Sequence, residues 1–175
     1  MAEALDPALP AATDRLARRV LEAACEQGLK LVTAESCTGG LLASLLTDIP
    51  GCSHAFERGF VTYTDEAKHE LLGVPMQVLD QDGAVSERAA RAMAEGALAQ
   101  SRGDVAVAIT GFTESGPGPD QPGGLVHFAA ARHGRPTDHK VMRFGEIGRA
   151  GVRLKALDVA LGMLRAQMTE TADAA

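Results

Sequence analysis

The stretch that decides the fold reads Leu29-Lys30-Leu31-Val32-Thr33-Ala34-Glu35-Ser36-Cys37-Thr38-Gly39-Gly40, and the apolar run Leu41-Leu42-Ala43 follows it. Its first six residues predict a strand, and a helix is predicted from about Gly39 to Thr47. A polar turn with two glycines therefore joins a strand to a helix. Because a helix begins with unpaired N–H groups and the positive end of its macrodipole, a hydroxyl at this turn is well placed for anion binding or acyl chemistry.

The composition is that of one globular domain. Of the 175 residues, 46% are hydrophobic and 23% are charged. We expect a single domain over residues 13–167, with flexible termini at 1–12 and 168–175. No apolar run approaches the roughly 18 residues of a membrane span, and the N-terminus lacks a signal-peptide pattern, so we expect a cytoplasmic protein without membrane contact. The net charge of −6 argues against direct nucleic-acid binding.

Cysteine and histidine spacing gives no sign of a metal site or of a disulfide framework. The three cysteines, Cys25, Cys37 and Cys52, include no C-x-x-C pair, and the five histidines include no H-x-x-x-H pair. We therefore expect no bound metal.

A second informative stretch runs from Phe56 to Lys68. Phe60–Tyr63 has strand composition, and Thr64 or Asp65 can cap a short helix that ends before Gly73. Lys68 then lies in or just after the first helical turn, where the macrodipole disfavours a cation by roughly a few tenths of a kcal/mol. Such a setting lowers the pKa of a lysine, as a general base requires. The alternative is an ordinary surface lysine whose stem covers apolar surface.

The remaining pattern predicts a mixed α/β sheet. An uninterrupted apolar run, Val105–Thr110, predicts a central strand that is buried on both faces, and Leu125–Ala131 with Lys140–Arg143 predicts an antiparallel hairpin. Helices are predicted from Thr13, whose hydroxyl would cap the first turn, from the cap Ser86, and from near Arg149 to about Gln167.

Three predicted loops carry polar groups that can form a site. Ligand sites in open α/β sheets lie beyond the carboxyl ends of the strands, so we expect Ser36, Tyr63, Lys68 and Thr110 to converge. A neutral lysine can activate a serine where no histidine–carboxylate pair is present. Taken alone, Ser36 is alternatively interpreted as a helix cap, which is the commoner role of serine before a helix.

Two neighbours of Ser36 leave alternatives open. Cys37 is a rival nucleophile, because a helix N-terminus lowers the pKa of a thiol, or it is a small buried residue. Glu35 is interpreted as a pairing or capping carboxylate rather than a catalyst.

Several motifs together resemble one known family. They are Ala34-Glu35-Ser36-Cys37-Thr38-Gly39-Gly40, Pro50-Gly51-Cys52-Ser53, Gly59-Phe60-Val61-Thr62-Tyr63-Thr64-Asp65-Glu66-Ala67-Lys68, Leu72-Gly73-Val74, Gly83-Ala84-Val85-Ser86 and Ile109-Thr110-Gly111. Their order and spacing, from about residue 13 to 167, are similar to those of the CinA C-terminal-domain family. The resemblance implies a three-layer α/β/α sandwich on a mixed, mostly parallel five-stranded sheet, and a homodimer.

The resemblance also implies an activity and assigns roles to residues. Free-standing members of the family are nicotinamide-nucleotide amidases, which convert nicotinamide mononucleotide to nicotinic acid mononucleotide and ammonia, and this chain resembles that free-standing form. Ser36 would be the nucleophile, Lys68 the base and Tyr63 a group that positions the proton transfer. The implied substrate-binding residues are Cys37, Thr38, Gly39 and Gly40, whose amides would hold the oxyanion, together with Thr110, Gly111 and Arg149. A small-molecule nucleotide substrate is implied, without a metal or organic cofactor.

One segment departs from the family pattern. Where members usually continue Thr-Gly with Ile-Ala-Gly-Pro, this chain has Phe112-Thr113-Glu114-Ser115 within the Gly- and Pro-rich loop 112–124. Glu114 brings a negative charge to a loop that should face a phosphate-bearing substrate. The alternative function is therefore a catalytically altered or inactive module that binds a nucleotide or a partner.

Overall fold

The computed structural model describes residues 9–116, 118–119 and 121–169, and in this part of the chain five strands form one sheet between two helical layers. The strands are β1 (Leu31–Glu35), β2 (Phe56–Val61), β3 (Val105–Gly111), β4 (Leu125–Arg132) and β5 (Asp138–Arg143). The helices are α1 (Ala11–Glu26), α2 (Leu41–Thr47), α3 (Asp65–Leu72), α4 (Met76–Asp82), α5 (Glu87–Ala99) and α6 (Gly148–Met168), with a 3-10 turn at Ser53–Ala55.

The sheet has the order β2-β1-β3-β4-β5. Strand β1 runs parallel to β2 and β3, whereas β4 runs antiparallel to β3 and β5. Four of the five strands therefore share one direction, and the predicted mixed, mostly parallel sheet within an α/β/α sandwich is confirmed. The carboxyl ends of β1, β2 and β3 meet at one edge, as the expected convergence of the loops requires.

The central strand β3 separates two apolar cores. Val105, Val107 and Ile109 pack with α1, α2 and α6, while Ala106 and Ala108 pack with α5 on the opposite face. The alanines allow α5 to lie close to the sheet. A side chain at Gly96 would collide with the carbonyl oxygen of Leu72, so α3 and α5 also pack in direct backbone contact.

Three boundaries differ from the predictions. Strand β2 begins at Phe56, four residues before the predicted start, because its solvent-facing edge position weakens the apolar signal of its first residues. Helix α4 was not predicted, since only Val78 and Leu79 are buried in its seven residues. Helix α1 begins at Ala11 after Pro10, so the predicted cap at Thr13 was wrong; the Thr13 hydroxyl instead donates to Asp158 Oδ1 at 2.7 Å and ties α1 to α6.

The predicted flexible termini lie largely outside the described residues, and the single-domain boundary at 13–167 stays a prediction. None of the helices in the described ranges combines the length and apolar character needed to span a membrane.

A histidine pair links the two strands of the hairpin to α5. His127 Nδ1 lies 3.0 Å from His139 Nε2, and His139 Nδ1 lies 3.5 Å from Glu87 Oε2. Burial lowers the pKa of both histidines; the charges of His139 and Arg143 act in the same direction on His127, as Arg91 does on His139, and Glu87 opposes the shift.

This pair is expected to make the protein less stable as the pH falls. A lowered pKa means that the folded state binds fewer protons than the unfolded state, so the free energy of unfolding decreases as the pH falls below about 6.5. Urea unfolding at pH 7.5, 6.5 and 5.5 measures the slope, which His139→Gln is expected to reduce. The exposed His133 provides the control, because His133→Gln should keep the slope of the wild type. Equal slopes for His139→Gln and the wild type would contradict this assignment.

Candidate active site

The turn after β1 is held by a buried carboxylate. Glu35 has no exposed surface, and its two oxygens accept hydrogen bonds from the amides of Gly40 (3.1 Å), Leu42 (3.1 Å) and Ala43 (2.8 Å) at the start of α2. These are the amides that a helix leaves unpaired at its N-terminus. Glu35 is thus the capping carboxylate, and the interpretation of Ser36 as the helix cap was wrong.

The two glycines allow the chain to turn. Gly39 and Gly40 have φ values of +63° and +92°, a conformation that other residues rarely adopt. A side chain on Gly40 would also press on Val61 at 3.2 Å. The turn therefore needs glycine at both positions before α2 can begin.

Lys68 reaches Ser36 from the neighbouring strand–helix connection. The Thr64 hydroxyl accepts from Ala67 N at 3.1 Å and caps α3, which places Lys68 at the end of the first turn, as predicted. Its Nζ lies 3.1 Å from Ser36 Oγ, 2.9 Å from the carbonyl oxygen of Thr62 and 3.4 Å from that of Tyr63.

The environment of Lys68 favours a neutral amine. The side chain is 1% exposed, and burial lowers its pKa, while the nearby carboxylate of Asp65 opposes the shift. A neutral amine can donate its two N–H groups to the two carbonyl oxygens and direct its lone pair at the Ser36 hydroxyl. The alternative of a surface lysine is therefore wrong.

Cys37 is a poor nucleophile at this turn. Burial raises the pKa of its thiol to about 11, so the thiolate that would attack a substrate is scarce near neutral pH. The thiol is 6% exposed and packs with the core between the sheet and α6. The alternative of a small buried residue fits this position.

A cleft of about 360 Å³ opens above the carboxyl ends of β1 and β3. Its described lining includes seven of the ten predicted site residues, together with Glu114 of the loop after β3. The seven are Ser36, Cys37, Tyr63, Lys68, Thr110, Gly111 and Arg149. Thr110 donates through its hydroxyl to the carbonyl oxygen of Ala84 at 2.7 Å, so it fixes the segment before α5. Thr38, Gly39 and Gly40 are not among the described lining residues.

The mouth of the cleft carries an ion pair. Arg149, in the first turn of α6, lies with Nη2 3.0 Å from Glu114 Oε2 in the loop after β3. Tyr63 is 65% exposed, and its side chain adds to the effect of Glu114 in raising the pKa of Arg149, whereas the Tyr63 carbonyl contacts Lys68. The structure thus brings the backbone of Tyr63 to the buried amine and its side chain to the cleft mouth.

Arg153 makes a contact with the turn after β1 that was not predicted from the sequence. Its Nε donates to the carbonyl oxygen of Cys37 at 2.8 Å, although the two residues are 116 positions apart. Its spacing of four residues from Arg149 could have indicated that it lies near the site, because this spacing places both guanidinium groups on one side of α6. Among the described residues, no group of three or more His, Cys, Asp or Glu side chains is arranged to hold a metal ion.

The chain matches a known family over most of its length. A family model described as "CinA C-terminal domain" matches residues 13–168. The chain belongs to the CinA C-terminal-domain family. This confirms the resemblance on which the fold prediction rested.

The curated relatives of this chain carry two kinds of name, CinA-like and nicotinamide-nucleotide amidohydrolase. A "CinA-like protein" of Akkermansia muciniphila is 53% identical over 68% of this chain and 29% of its own length. A "Nicotinamide-nucleotide amidohydrolase PncC" of Enterobacter agglomerans is 46% identical over 74% of this chain and 79% of its own length. The chain spans 26–29% of the length of three of the curated relatives that it matches.

The fold of the family is also present in a crystal structure of "competence/damage inducible protein CihA" from Agrobacterium tumefaciens. That structure is 45% identical, has a TM-score of 0.89, and is matched over 92% of this chain and 98% of its own. The three-layer architecture described above is therefore the architecture of the CinA family.

Proposed function

We propose that this chain is an amidohydrolase that converts nicotinamide mononucleotide to nicotinic acid mononucleotide and ammonia through a Ser36 nucleophile activated by Lys68. The observation that carries the proposal is the 3.1 Å distance between a buried lysine Nζ and Ser36 Oγ at the wall of a cleft. The substrate is suggested by the relative named as a nicotinamide-nucleotide amidohydrolase. A cleft of this volume suits a small molecule.

The reaction begins with proton transfer from Ser36 Oγ to the neutral amine of Lys68 as the oxygen attacks the carboxamide carbon. The carbonyl double bond opens, and the resulting oxyanion requires N–H donors. The Lys68 ammonium then gives its proton to the amide nitrogen, the C–N bond breaks, and ammonia leaves an acyl-Ser36 ester. A water molecule, deprotonated by Lys68, attacks this ester and releases the carboxylate and Ser36.

Two of the four amides that were predicted to hold the oxyanion already donate to other groups. Gly39 N donates to the carbonyl oxygen of Ser36 at 3.1 Å, and Gly40 N donates to Glu35. Of the four predicted donors, the amides of Cys37 and Thr38 are the two that donate to no backbone or side-chain oxygen of the described turn. We assign the oxyanion to these two amides.

The other end of the substrate is assigned to Arg149. Lys68 and Arg149 are the two basic side chains in the described cleft lining, and Lys68 is buried against Ser36. A phosphate group at the cleft mouth would therefore meet the Arg149 guanidinium, with which it can form charge-assisted hydrogen bonds. Tyr63 lies beside it and is proposed to position the substrate from the same side. The homodimer and the cytoplasmic location stay predictions of the family resemblance and the sequence.

A second candidate function is a binding module without turnover. The altered loop after β3 favours it, because Glu114 of this loop pairs with the guanidinium to which the substrate phosphate is assigned. Incubating the wild type with nicotinamide mononucleotide and measuring both ammonia and nicotinic acid mononucleotide separates the two functions. Equal amounts of both products support the amidase. Calorimetric binding of the nucleotide without either product would support the binding module, and neither binding nor product would reject both.

Removing the charge of Glu114 is expected to improve the use of a phosphate-bearing substrate. In Glu114→Gln, Arg149 loses its competing carboxylate and the mouth loses a negative charge, so KM for nicotinamide mononucleotide should fall by about 3- to 10-fold with little change in kcat. The pair is exposed, which keeps the effect modest and makes it decrease with added salt.

The unphosphorylated nucleoside provides the control for this prediction, because its KM should not respond to Glu114→Gln. The exposed Glu146, which accepts from Ser115 Oγ at 3.2 Å, offers a matched variant in Glu146→Gln. A KM for the nucleotide that stays constant or rises in Glu114→Gln would contradict the proposed competition.

A further inference from the structure

The geometry points to Arg153 as a positioning residue that turns the N–H of Thr38 toward Ser36 and so prepares the oxyanion site. This inference rests on the proposed amidase function. It concerns a side chain that is absent from the described lining of the cleft and that acts through the peptide bond between Cys37 and Thr38.

The contact is specific and partly enclosed. Arg153 is half-buried on α6, and its Nε donates to the Cys37 carbonyl oxygen at 2.8 Å. One terminal nitrogen lies 3.1 Å from the place that a Cβ on Gly39 would take. The guanidinium therefore lies across the turn, and Gly39 leaves the room that it needs.

The planarity of the peptide bond carries the inference. The Cys37 carbonyl and the Thr38 N–H belong to one trans peptide unit, in which C=O and N–H point in opposite directions. Helix α6 packs on the face of the sheet that includes Val105, Val107 and Ile109. A carbonyl held toward α6 thus directs the Thr38 N–H toward the opposite face.

The opposite face is the one that carries the reacting groups. Ser36 follows Val32 and Ala34 at alternate positions, and both of these pack with α3 and α5. Lys68 reaches Ser36 from α3 on this same face. Within the described chain, no backbone or side-chain acceptor takes the Thr38 N–H, whereas Gly39 N and Gly40 N are both occupied. The free donor and the nucleophile therefore share one side of the turn.

The charge of Arg153 adds to this orientation. A guanidinium bound to a carbonyl oxygen forms a charge-assisted hydrogen bond and polarises the peptide unit, which makes the N–H at its other end a stronger donor. Arg153 thereby strengthens and orients a donor without touching the substrate.

The test compares Arg153→Met and Arg153→Lys with Arg165→Met, a control at an exposed arginine of the same helix. In Arg153→Met, kcat for nicotinamide mononucleotide is expected to fall by about 10- to 100-fold with KM within about 3-fold, less than the ~10²–10³ lost when an oxyanion donor itself is removed. Arg153→Lys should restore part of kcat, since a lysine ammonium also donates to a carbonyl. Arg165→Met should behave as the wild type.

A readout independent of turnover separates this inference from the proposed function. The ¹H–¹⁵N resonance of Thr38 is expected to shift and its hydrogen exchange to change in Arg153→Met, while the resonances of α5 stay in place. If the wild type releases no ammonia, the proposed function fails and the Thr38 resonance still tests the orientation. An unchanged Thr38 resonance in Arg153→Met overturns the inference. A loss of kcat that is the same in Arg153→Lys as in Arg153→Met, and that is accompanied by a lower melting temperature in both, also overturns it.

Discussion

Ammonia release from nicotinamide mononucleotide is expected to fall by about 10⁴- to 10⁶-fold when Ser36 is replaced by Ala. The expectation follows from the covalent mechanism, because Ser36 Oγ is the oxygen that lies against the buried amine. Nucleotide binding should persist in Ser36→Ala, since the substituted atom contributes to the transition state more than to the bound substrate. Product formation by mass spectrometry and binding by calorimetry measure the two quantities separately.

The control for Ser36→Ala is Ser44→Ala, at an exposed serine one turn into α2. This variant keeps the Glu35 cap and the turn, so its turnover should equal that of the wild type. The folding of Ser36→Ala is expected to be intact, because Lys68 Nζ retains the carbonyl oxygens of Thr62 and Tyr63 as acceptors. Undiminished turnover in Ser36→Ala would rule out the covalent mechanism.

The second large effect is expected at Lys68, and it separates activity from stability. Lys68→Met should lower kcat by about 10³- to 10⁴-fold, because among the described residues no other side chain lies within hydrogen-bonding distance of Ser36 Oγ to accept its proton. Burial lowers the pKa of Lys68, so the fold disfavours its charged form. Removing the amine relieves this cost but leaves the carbonyl oxygens of Thr62 and Tyr63 without their donor. Because the two effects oppose each other, the change in the free energy of unfolding should be small beside the loss of kcat.

The sign of the pH dependence follows from the same shift. The base acts when it is neutral, so the kcat of the wild type should rise with pH until the lowered pKa of Lys68 is passed and should then level off. Lys68→Arg gives the matched control of length and charge: its guanidinium stays protonated and should be inactive over the whole range. A pH profile of Lys68→Met that superimposes on the wild type would contradict Lys68 as the base.

Local patterns were sufficient to predict the elements that meet at the site. The run from Leu29 to Gly40 predicts a strand, a turn and a helix, and Thr64 predicts the cap that sets the position of Lys68; the structure confirms both. The convergence of Ser36 and Lys68, 32 positions apart, followed from the rule that parallel strands end at one edge of a sheet. A general rule of topology thus carried the step from sequence to geometry.

Contacts across the chain were not predictable in the same way. Glu35 could be recognised as a pairing or capping carboxylate, but which three amides donate to it depends on how α2 is placed relative to β1. The Arg153–Cys37 contact depends on the packing of α6 against the sheet, which no local pattern encodes. Tyr63 contacts Lys68 through its carbonyl oxygen and acts on Arg149 through its side chain, a division that the residue type alone does not predict.

The buried Glu35 has a consequence for recognising reactive serines in general. The hydroxyl of a serine that precedes a helix usually accepts hydrogen bonds from the helix amides, and such a serine does not act as a nucleophile. In this protein Glu35 accepts these hydrogen bonds instead, so the hydroxyl of Ser36 is available to contact Lys68. We therefore expect a serine before a helix to be available for chemistry where a buried acidic residue immediately before it already accepts from the amides of that helix.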